Sequence, residues 1–210
     1  VGEGEKGGFV ESYNNLTGDA WVAGDAKVLG NAVVSDNATV CDNAIAIDNA
    51  KVYGGAIVRD NAQVCGNAQV YDYTTVRVNA RIAGNAQVYG IAMVSGNAQV
   101  YGNAQVCTRA LVGGIAQVFG NATVSGNARV TGNAFVRDSS TVSGNAQVYG
   151  NTAVTGITVV KGSAVVLGDA HIACDAKLDC NAQISDVADI LTVSPVGIYG
   201  DSVTFFKCDD

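Results

Sequence analysis

The sequence offers one histidine, His171, as a candidate group for proton transfer. Asp189 follows it eighteen residues later, and a histidine held beside a carboxylate can act as a general base near neutral pH. The same pair is equally typical of a solvated protein surface. His171 with Asp189 is therefore the weak catalytic candidate of this chain, and an ordinary surface pair is the alternative.

Six cysteines are the other reactive side chains: Cys41, Cys65, Cys107, Cys174, Cys180 and Cys208. The sequence contains no Cys-x-x-Cys pair and no cysteine and histidine cluster with metal-ligand spacing. We therefore predict neither a metal site nor a cofactor. In the fold argued below, residues eighteen apart stack, and no two cysteines have that spacing. We expect no disulfide among the first five, and free thiols favour the cytoplasm.

Charge and hydropathy exclude two classes of partner. Of the 210 residues only 15% are charged, and the formal net charge is −7, so a basic surface for nucleic acid is not expected. No apolar run approaches the roughly 18 residues of a membrane span. A basic-then-apolar signal segment is also absent. The chain begins at Val1, however, so an extracellular location stays open beside the cytoplasmic one.

The elements that must position these residues follow from a six-residue period. From Val22 to Ile190 in steps of six, 29 positions hold 23 Val, four Ile, one Leu and one Ala. The residue two places before each is Ala in 25 cases, with Thr74, Ser140, Thr152 and Thr158 as exceptions. No insertion interrupts the series. A repeat of this regularity predicts a solenoid of stacked units.

Each unit predicts a very short strand and a corner. In a unit such as GNAQVY, apolar and polar residues alternate as they do in a β-strand. The period of six fits neither an α-helix nor a coiled coil. Gly and Asn both tolerate positive φ angles, so we expect Gly-Asn and Asp-Asn to form the corner.

An aliphatic residue followed four positions later by a small one resembles the hexapeptide repeat. This resemblance implies an all-β, single-stranded left-handed parallel β-helix, a triangular solenoid with three hexapeptides per coil and roughly ten coils. The stretches GGFVESYNNLTGDAWV and ADILTVSPVGIYGDSVTFFKCDD resemble the ends of small uncharacterised bacterial and phage proteins that carry tandem GNAxVxGNAxV units.

Three regions are expected: an N-terminal end segment at 1–18, the repeat β-helix at 19–190 and a C-terminal end segment at 191–210. An open solenoid end presents unpaired N–H and C=O groups, which invite another chain. We predict that both end segments leave the repeat rhythm and fold over the ends. Pro195 supports this prediction at the C-terminus, because proline cannot donate to a strand ladder. Stacking of prisms end to end is the alternative.

Eighteen-residue spacing also predicts which outward side chains stack. Two corner columns hold mostly Asn, and we expect Asn ladders there. Outward Tyr and Gln should form similar ladders that stabilise the stack, although an aromatic ladder is also compatible with binding sugars or bases.

The third corner column breaks the Asn pattern over four coils and becomes apolar. Together with neighbouring outward positions it forms what we call the apolar strip: Ile57, Tyr73, Ile91, Met93 and Leu111. Arg59, Arg77 and Arg109 flank the strip. Exposed apolar patches usually mark an interaction site, so we predict an interface at the strip and Arg109. Sequence drift on a tolerant surface is the alternative, and it is supported by the isolated Ile115 and Ile157.

The sequence thus favours a non-catalytic structural scaffold that forms a homo-oligomer or filament. The resemblance implies one alternative, a hexapeptide-type acyltransferase, in which His171 would deprotonate the acceptor. Against it, enzymes on such a scaffold need a loop or pocket, and this repeat runs without an inserted residue. A protein- or ligand-binding module is a further alternative.

Overall fold

The computed structural model describes residues 7–179, 181–185, 190–196 and 201–206. Within them the chain forms three parallel sheets of two-residue strands, which we name faces A, B and C.

Face A consists of β1 (Phe9–Val10), β3 (Lys27–Val28), β6 (Ile45–Ala46), β9 (Gln63–Val64), β12 (Arg81–Ile82), β15 (Gln99–Val100), β18 (Gln117–Val118), β21 (Phe135–Val136), β24 (Ala153–Val154) and β27 (His171–Ile172). Face B consists of β4 (Val33–Val34), β7 (Lys51–Val52), β10 (Gln69–Val70), β13 (Gln87–Val88), β16 (Gln105–Val106), β19 (Thr123–Val124), β22 (Thr141–Val142), β25 (Val159–Val160) and β28 (Lys177–Leu178). Face C consists of β2 (Trp21–Val22), β5 (Thr39–Val40), β8 (Ile57–Val58), β11 (Thr75–Val76), β14 (Met93–Val94), β17 (Leu111–Val112), β20 (Arg129–Val130), β23 (Gln147–Val148), β26 (Val165–Val166) and β29 (Gln183–Ile184).

The core is a stack of buried side chains in which each six-residue unit contributes two inward residues, most often Ala and Val. Val100 is fully buried and pairs with Ile82 on one side and Val118 on the other. Each partner is eighteen residues away, so three six-residue units close one coil. This arrangement confirms an all-β solenoid of about ten coils. Because every inward residue stacks on its counterpart in the next coil, the sequence has to repeat.

At the corners, the first of the two residues carries the positive φ angle. Positive φ angles occur at glycines such as Gly96 and Gly114, and at six aspartates: Asp36, Asp42, Asp48, Asp60, Asp72 and Asp138. The Asn that follows is not among the described residues with positive φ. Gly-Asn and Asp-Asn thus form the corner as expected, and the first residue of each pair carries the positive φ angle. A Cβ at Gly96 would lie 2.6 Å from the carbonyl oxygen of Gly114, so the coils approach too closely there for most side chains.

The aspartates at the corners have a role that the sequence did not reveal. Each of these six carboxylates accepts a hydrogen bond from the backbone N–H eighteen residues later, as Asp48 does from Gly66 at 2.9 Å. Asp tolerates positive φ better than most residues, because its short polar side chain can bond to nearby backbone. It therefore replaces glycine at a corner and bonds an N–H of the next coil.

The described part of the N-terminal segment, from residue 7 onward, keeps the repeat register at its strands, contrary to our prediction. Phe9 pairs with Lys27 and Val10 with Val28, both at the eighteen-residue spacing, and Leu16 bridges to Val34 in the same way. Val10 and Leu16 simply continue the aliphatic series backward, while Gly8 takes the place of Ala. A Cβ at Gly8 would lie 2.7 Å from the carbonyl oxygen of Ala26, so the substitution lets the chain approach closely.

A short 3-10 helix, Tyr13–Asn15, interrupts this first coil. The Asn15 side chain is buried, and its amide donates to the carbonyl oxygens of Gly30 at 2.8 Å and Ala32 at 2.7 Å. These bonds satisfy backbone acceptors of the second coil. They tie the N-terminal segment to the prism.

The C-terminal segment does change its structure. Strands β30 (Ile190–Val196) and β31 (Asp201–Phe206) pair with each other in antiparallel fashion and form a sheet of their own. The register shifts between Val193 and Val196, around Pro195. This agrees with the restriction of proline to bulges and strand edges. Departure from the rhythm is thus confirmed at this end, while closure of the prism end by the hairpin remains a prediction.

Candidate functional site

His171, the weak catalytic candidate, lies on the outward position of β27 with its side chain exposed. Asp189 lies outside the described residues, so their pairing stays a prediction. The neighbour that the structure gives His171 is Thr155, whose Oγ1 lies 3.3 Å from the imidazole Nε2. Thr155 is itself buried and is also within 3.5 Å of the carbonyl oxygen of Ile172.

The described cysteines lie far apart in the prism, and Cys107 is buried. Cys41, Cys65, Cys107 and Cys174 carry free thiols, whereas Cys180 and Cys208 lie outside the described residues. Burial raises the pKa of the Cys41 thiol, and the Asp42 carboxylate beside it acts in the same direction. In the described part of the chain, no group of three or more His, Cys, Asp and Glu side chains could hold a metal ion. None of the helices in that part is long and apolar enough to cross a bilayer.

The residues of the apolar strip lie side by side. Strand pairing places Ile57, Thr75, Met93 and Leu111 directly over one another on the outward position of face C. Ile57 is 40% exposed, and Met93 and Leu111 are half-buried. Each of these side chains stands one coil from the next, so they form a continuous column.

The corner between faces B and C supplies the rest of the strip. Tyr73 is 75% exposed and Ile91 50% exposed, and both line a shallow cleft of about 300 Å³ with Arg109. A Cβ at Gly55 would lie 2.8 Å from Cδ1 of Tyr73, so the tyrosine ring lies over the glycine. The small residue at this corner thus lets the ring lie along the surface.

Asn ladders run along the two corners that do not carry the apolar strip. On the corner between faces A and B, five successive side-chain amide bonds of 3.0–3.1 Å link Asn31, Asn49, Asn67, Asn85, Asn103 and Asn121. A shorter ladder joins Asn61, Asn79 and Asn97 on the corner between faces C and A. The predicted Asn ladders are confirmed at these positions. At the strip, Gly55, Tyr73, Ile91 and Arg109 occupy the corner instead, and a described ladder bond returns only at Asn127 and Asn145.

Arginines surround the strip. Arg59 and Arg77 stand beside it on face C, Arg109 stands at its corner, and Arg129 follows Leu111 in the same column. The Nε atom of Arg77 is buried without a hydrogen-bond partner among the described residues. The strip is therefore an apolar centre with a basic rim, on a chain whose formal net charge is −7.

Two aromatic ladders run along the prism. Tyr53, Tyr71 and Tyr89 stack beside face B with ring centroids 4.8 and 5.1 Å apart and rings nearly parallel. Tyr101 and Phe119 stack beside face A at 4.8 Å. The rings cover one another, so each ladder offers its edges to solvent. Sugar or base stacking on the inner rings, which the sequence left open, is therefore disfavoured.

Hydrogen bonds fix the ladder rings. The hydroxyl groups of Tyr53, Tyr89 and Tyr101 donate to the side-chain oxygens of Gln69, Gln105 and Gln117, at 3.1–3.2 Å. Burial raises the pKa of Tyr53, Tyr71 and Tyr101. A hydrogen bond with Cys107, together with burial, raises the pKa of Tyr89 to about 12. All four rings are therefore neutral packing elements at neutral pH.

A second cleft was not foreseen from the sequence. It has a volume of about 360 Å³ and lies beside the end of the Tyr101–Phe119 ladder, between Arg81, Ala83, Gln99 and Tyr101. The sequence signal was present in the column of side chains that follow the face A strands. Cys65, Ala83, Tyr101 and Phe119 follow at eighteen-residue spacing, so a small residue precedes two rings.

Two stretches of the chain, residues 86–102 and 116–132, match the family model described as YdcK Beta solenoid repeat. The stretches cover parts of the two regions just described, including Ile91, Met93, Tyr101 and Phe119. This chain is a β-solenoid repeat protein. A comparison of this chain with curated proteins found no match. The hexapeptide-like β-helix is therefore confirmed, while a bacterial or phage origin stays an expectation from the resemblance.

Proposed function

We propose that this β-solenoid is a non-catalytic scaffold that associates with further copies of itself through the apolar strip, forming an oligomer or filament. The observation that carries the proposal is the coincidence of two departures. The corner column loses its Asn residues over four coils, and in three of those coils the outward position of face C is apolar. Isolated drift would not align both changes on one surface.

The strip is complementary to itself in an antiparallel arrangement. The two-fold axis lies in the plane of the contact, parallel to the strands of face C, and passes between the coils of Thr75 and Met93. It brings each coil of the strip against a different coil of the second copy. Ile57 then faces Leu111, and Tyr73 faces Ile91. Such an isologous contact is the commonest way in which identical chains associate.

The arginines of the rim fit the same arrangement. Under that axis Arg109 faces Gly55, Arg59 faces Gly113, and Arg77 faces Ser95 of the second copy. Each guanidinium therefore meets a small residue, and no two arginines oppose each other. The Ser95 hydroxyl can also accept a hydrogen bond from the Arg77 guanidinium.

The size of the strip sets the expected affinity. Four coils make it roughly 20 Å long, and three columns two residues apart make it about 15 Å wide. This area of roughly 300 Å² is well below the ~800 Å² per partner of a standard stable interface. We therefore expect a dissociation constant on the order of 10 μM or weaker, and association that depends on concentration.

Light scattering over a range of protein concentrations tests the strip. The triple variant Ile91→Asn, Met93→Gln, Leu111→Gln should shift association to at least tenfold higher concentration, because it removes the apolar contacts and restores the Asn and Gln of the regular repeat. The matched control is Ile115→Asn with Ile157→Asn, which removes exposed isoleucines from other corners. Equal behaviour of the two variants would identify the strip as drift.

A single introduced charge distinguishes the antiparallel dimer from a dimer whose two-fold axis runs along the prism. Ser95→Asp brings a carboxylate opposite Arg77 in the antiparallel dimer, and association should strengthen several-fold at low salt. In a dimer whose axis runs along the prism, the same carboxylate faces Ile91, and association should weaken. The sign of the change selects the geometry.

The alternative function is a hexapeptide-type acyltransferase, and the exposed imidazole of His171 is the observation in its favour. A ligand that binds the native state raises its melting temperature by mass action. Addition of an acyl-CoA therefore tests this alternative directly, and an unchanged melting temperature would contradict it. We place the scaffold in the cytoplasm, since the four described thiols are free.

A further inference from the structure

The aromatic ladder beside face A ends abruptly. Tyr101 and Phe119 stack with centroids 4.8 Å apart and an interplanar angle of 4°. The residue one coil before Tyr101 is Ala83, whose methyl group covers little of the ring. The cleft of about 360 Å³ opens here, with Ala83 and Gly84 on one side and Tyr101 and Gly102 on the other.

The dimensions of this gap follow from the repeat of the coils. A ring on the coil of Ala83 would stack on Tyr101 as Tyr101 stacks on Phe119. One coil further away stands Cys65, which has no ring, so the gap extends over two coil spacings from Tyr101. A single planar ring fits between Tyr101 and Cys65. The cleft volume is at the lower end of the range for small-molecule sites.

Polar groups stand at the edge of the same gap. The exposed side chains of Arg81 and Gln99 both line the cleft. Nη2 of Arg81 lies 3.6 Å from Sγ of Cys65, on the side away from Tyr101. In the part of the chain that the structure describes, no carboxylate lies within ion-pair distance of Arg81. A guanidinium in this position can bind an anionic group.

The wall of the gap is rigid. The Tyr101 hydroxyl donates to the side-chain oxygen of Gln117 at 3.1 Å, and Phe119 supports the opposite face of the ring. A fixed ring costs less conformational entropy when a ligand stacks on it.

The ladder beside face B gives a contrast within the same molecule. Its three tyrosines are consecutive, and the residue one coil after Tyr89 is Cys107, which is buried. A buried thiol thus follows the last ring of this ladder, whereas the small Ala83 precedes the first ring of the ladder beside face A.

We propose that the gap beside Tyr101 is a binding site for a small planar aromatic anion, whose ring takes the place of the missing rung above Ala83. The ring stacks on Tyr101, while the anionic group lies against the Arg81 guanidinium. Stacking requires a flat ring, and the guanidinium requires a negative charge. The site therefore discriminates against saturated rings and against neutral aromatic molecules.

Benzoate is the probe for this site, observed through the chemical shifts of the Tyr101 ring in NMR spectra. We expect a dissociation constant on the order of 1 mM, as suits a ligand of nine non-hydrogen atoms. Cyclohexanecarboxylate and benzyl alcohol, which lack the flat ring and the charge, should each bind at least tenfold more weakly. Equal shifts from all three probes, or none with benzoate at 20 times that concentration, would overturn the proposal.

Two variants locate the site. Ala83→Tyr supplies the missing rung, so it should abolish benzoate binding and raise the melting temperature. Ala173→Tyr is the matched control, because it adds a tyrosine to the same column far from Tyr101, and binding should persist. Arg81→Gln should weaken benzoate about tenfold and leave benzyl alcohol unchanged. Unaltered benzoate binding in both Ala83→Tyr and Arg81→Gln would contradict the assignment, and the second variant decides if the first does not fold.

Discussion

At the scale of single residues, the four hydroxyls that replace core alanines are not equivalent. Ser140 donates to the carbonyl oxygen of Arg137 at 2.7 Å, and Thr158 to that of Thr155 at 2.6 Å. Thr74 likewise bonds to the carbonyl oxygen of Tyr71. Thr152 is fully buried as well, but its Oγ1 has no partner among the described residues. A buried polar group without a partner carries a desolvation penalty of about 1–3 kcal/mol.

Thr152→Val should therefore stabilise the protein. The substitution keeps the shape of the side chain and removes the unsatisfied hydroxyl, so we expect a gain of about 1 kcal/mol and a rise in melting temperature of roughly 2–4 °C. Thr158→Val is the matched control at an equally buried site, where it removes a made hydrogen bond and should destabilise by about 1 kcal/mol. Calorimetric scans that gave both variants the same sign would refute this distinction.

At the scale of the corner, three described residues other than Gly and Asp have a positive φ angle, Val78, Thr108 and Cys174. Val78 has a φ of 64°, where a β-branched side chain is disfavoured by about 1–2 kcal/mol. Asp42 and Asp60 occupy the same position in the two preceding coils, and each accepts a hydrogen bond from the backbone N–H of the next coil. Val78 offers no acceptor to the N–H of Gly96.

Val78→Asp should thus stabilise the corner. It relieves the strain and supplies an acceptor for Gly96, so we expect about 1 kcal/mol more free energy of unfolding in urea denaturation. The control Val78→Ala keeps a Cβ at positive φ without any acceptor and should gain less. If the aspartate and the alanine prove equally stable, the hydrogen bond across coils contributes nothing.

The corner also separates what the sequence could predict from what it could not. The period of six and the inward phase of residues such as Val100 were predictable, because burial imposes them on every coil. The residue that carries positive φ was assigned only in part, since Gly-Asn and Asp-Asn both place two tolerant residues at the corner. The cleft beside Ala83 was missed, because it depends on one small residue beside two rings and not on any repeated feature.

At the scale of the whole molecule, the two ends of the prism differ. The N-terminal segment continues the register through Val10 and Leu16, whereas the C-terminal segment forms an antiparallel hairpin. The prism strands of the described residues finish with β27, β28 and β29, one on each face. A parallel edge of this kind presents unpaired backbone groups that another chain can pair with. We propose that the C-terminal hairpin covers this edge and limits growth of the prism.

Deletion of residues 186–210 tests this role of the hairpin. The full chain should not extend end to end, whereas the truncated chain should pair end to end and form fibres visible by electron microscopy. The N-terminal coil can then serve as the template for the next molecule, because its strands already follow the register of the prism. Deletion of residues 207–210 alone is the control, since it keeps both hairpin strands and should leave the size unchanged. If the truncated protein keeps the size of the full chain, the edge is closed without the hairpin. If the full chain already forms end-to-end fibres, the edge is open despite the hairpin. Either result would show that the hairpin does not limit growth.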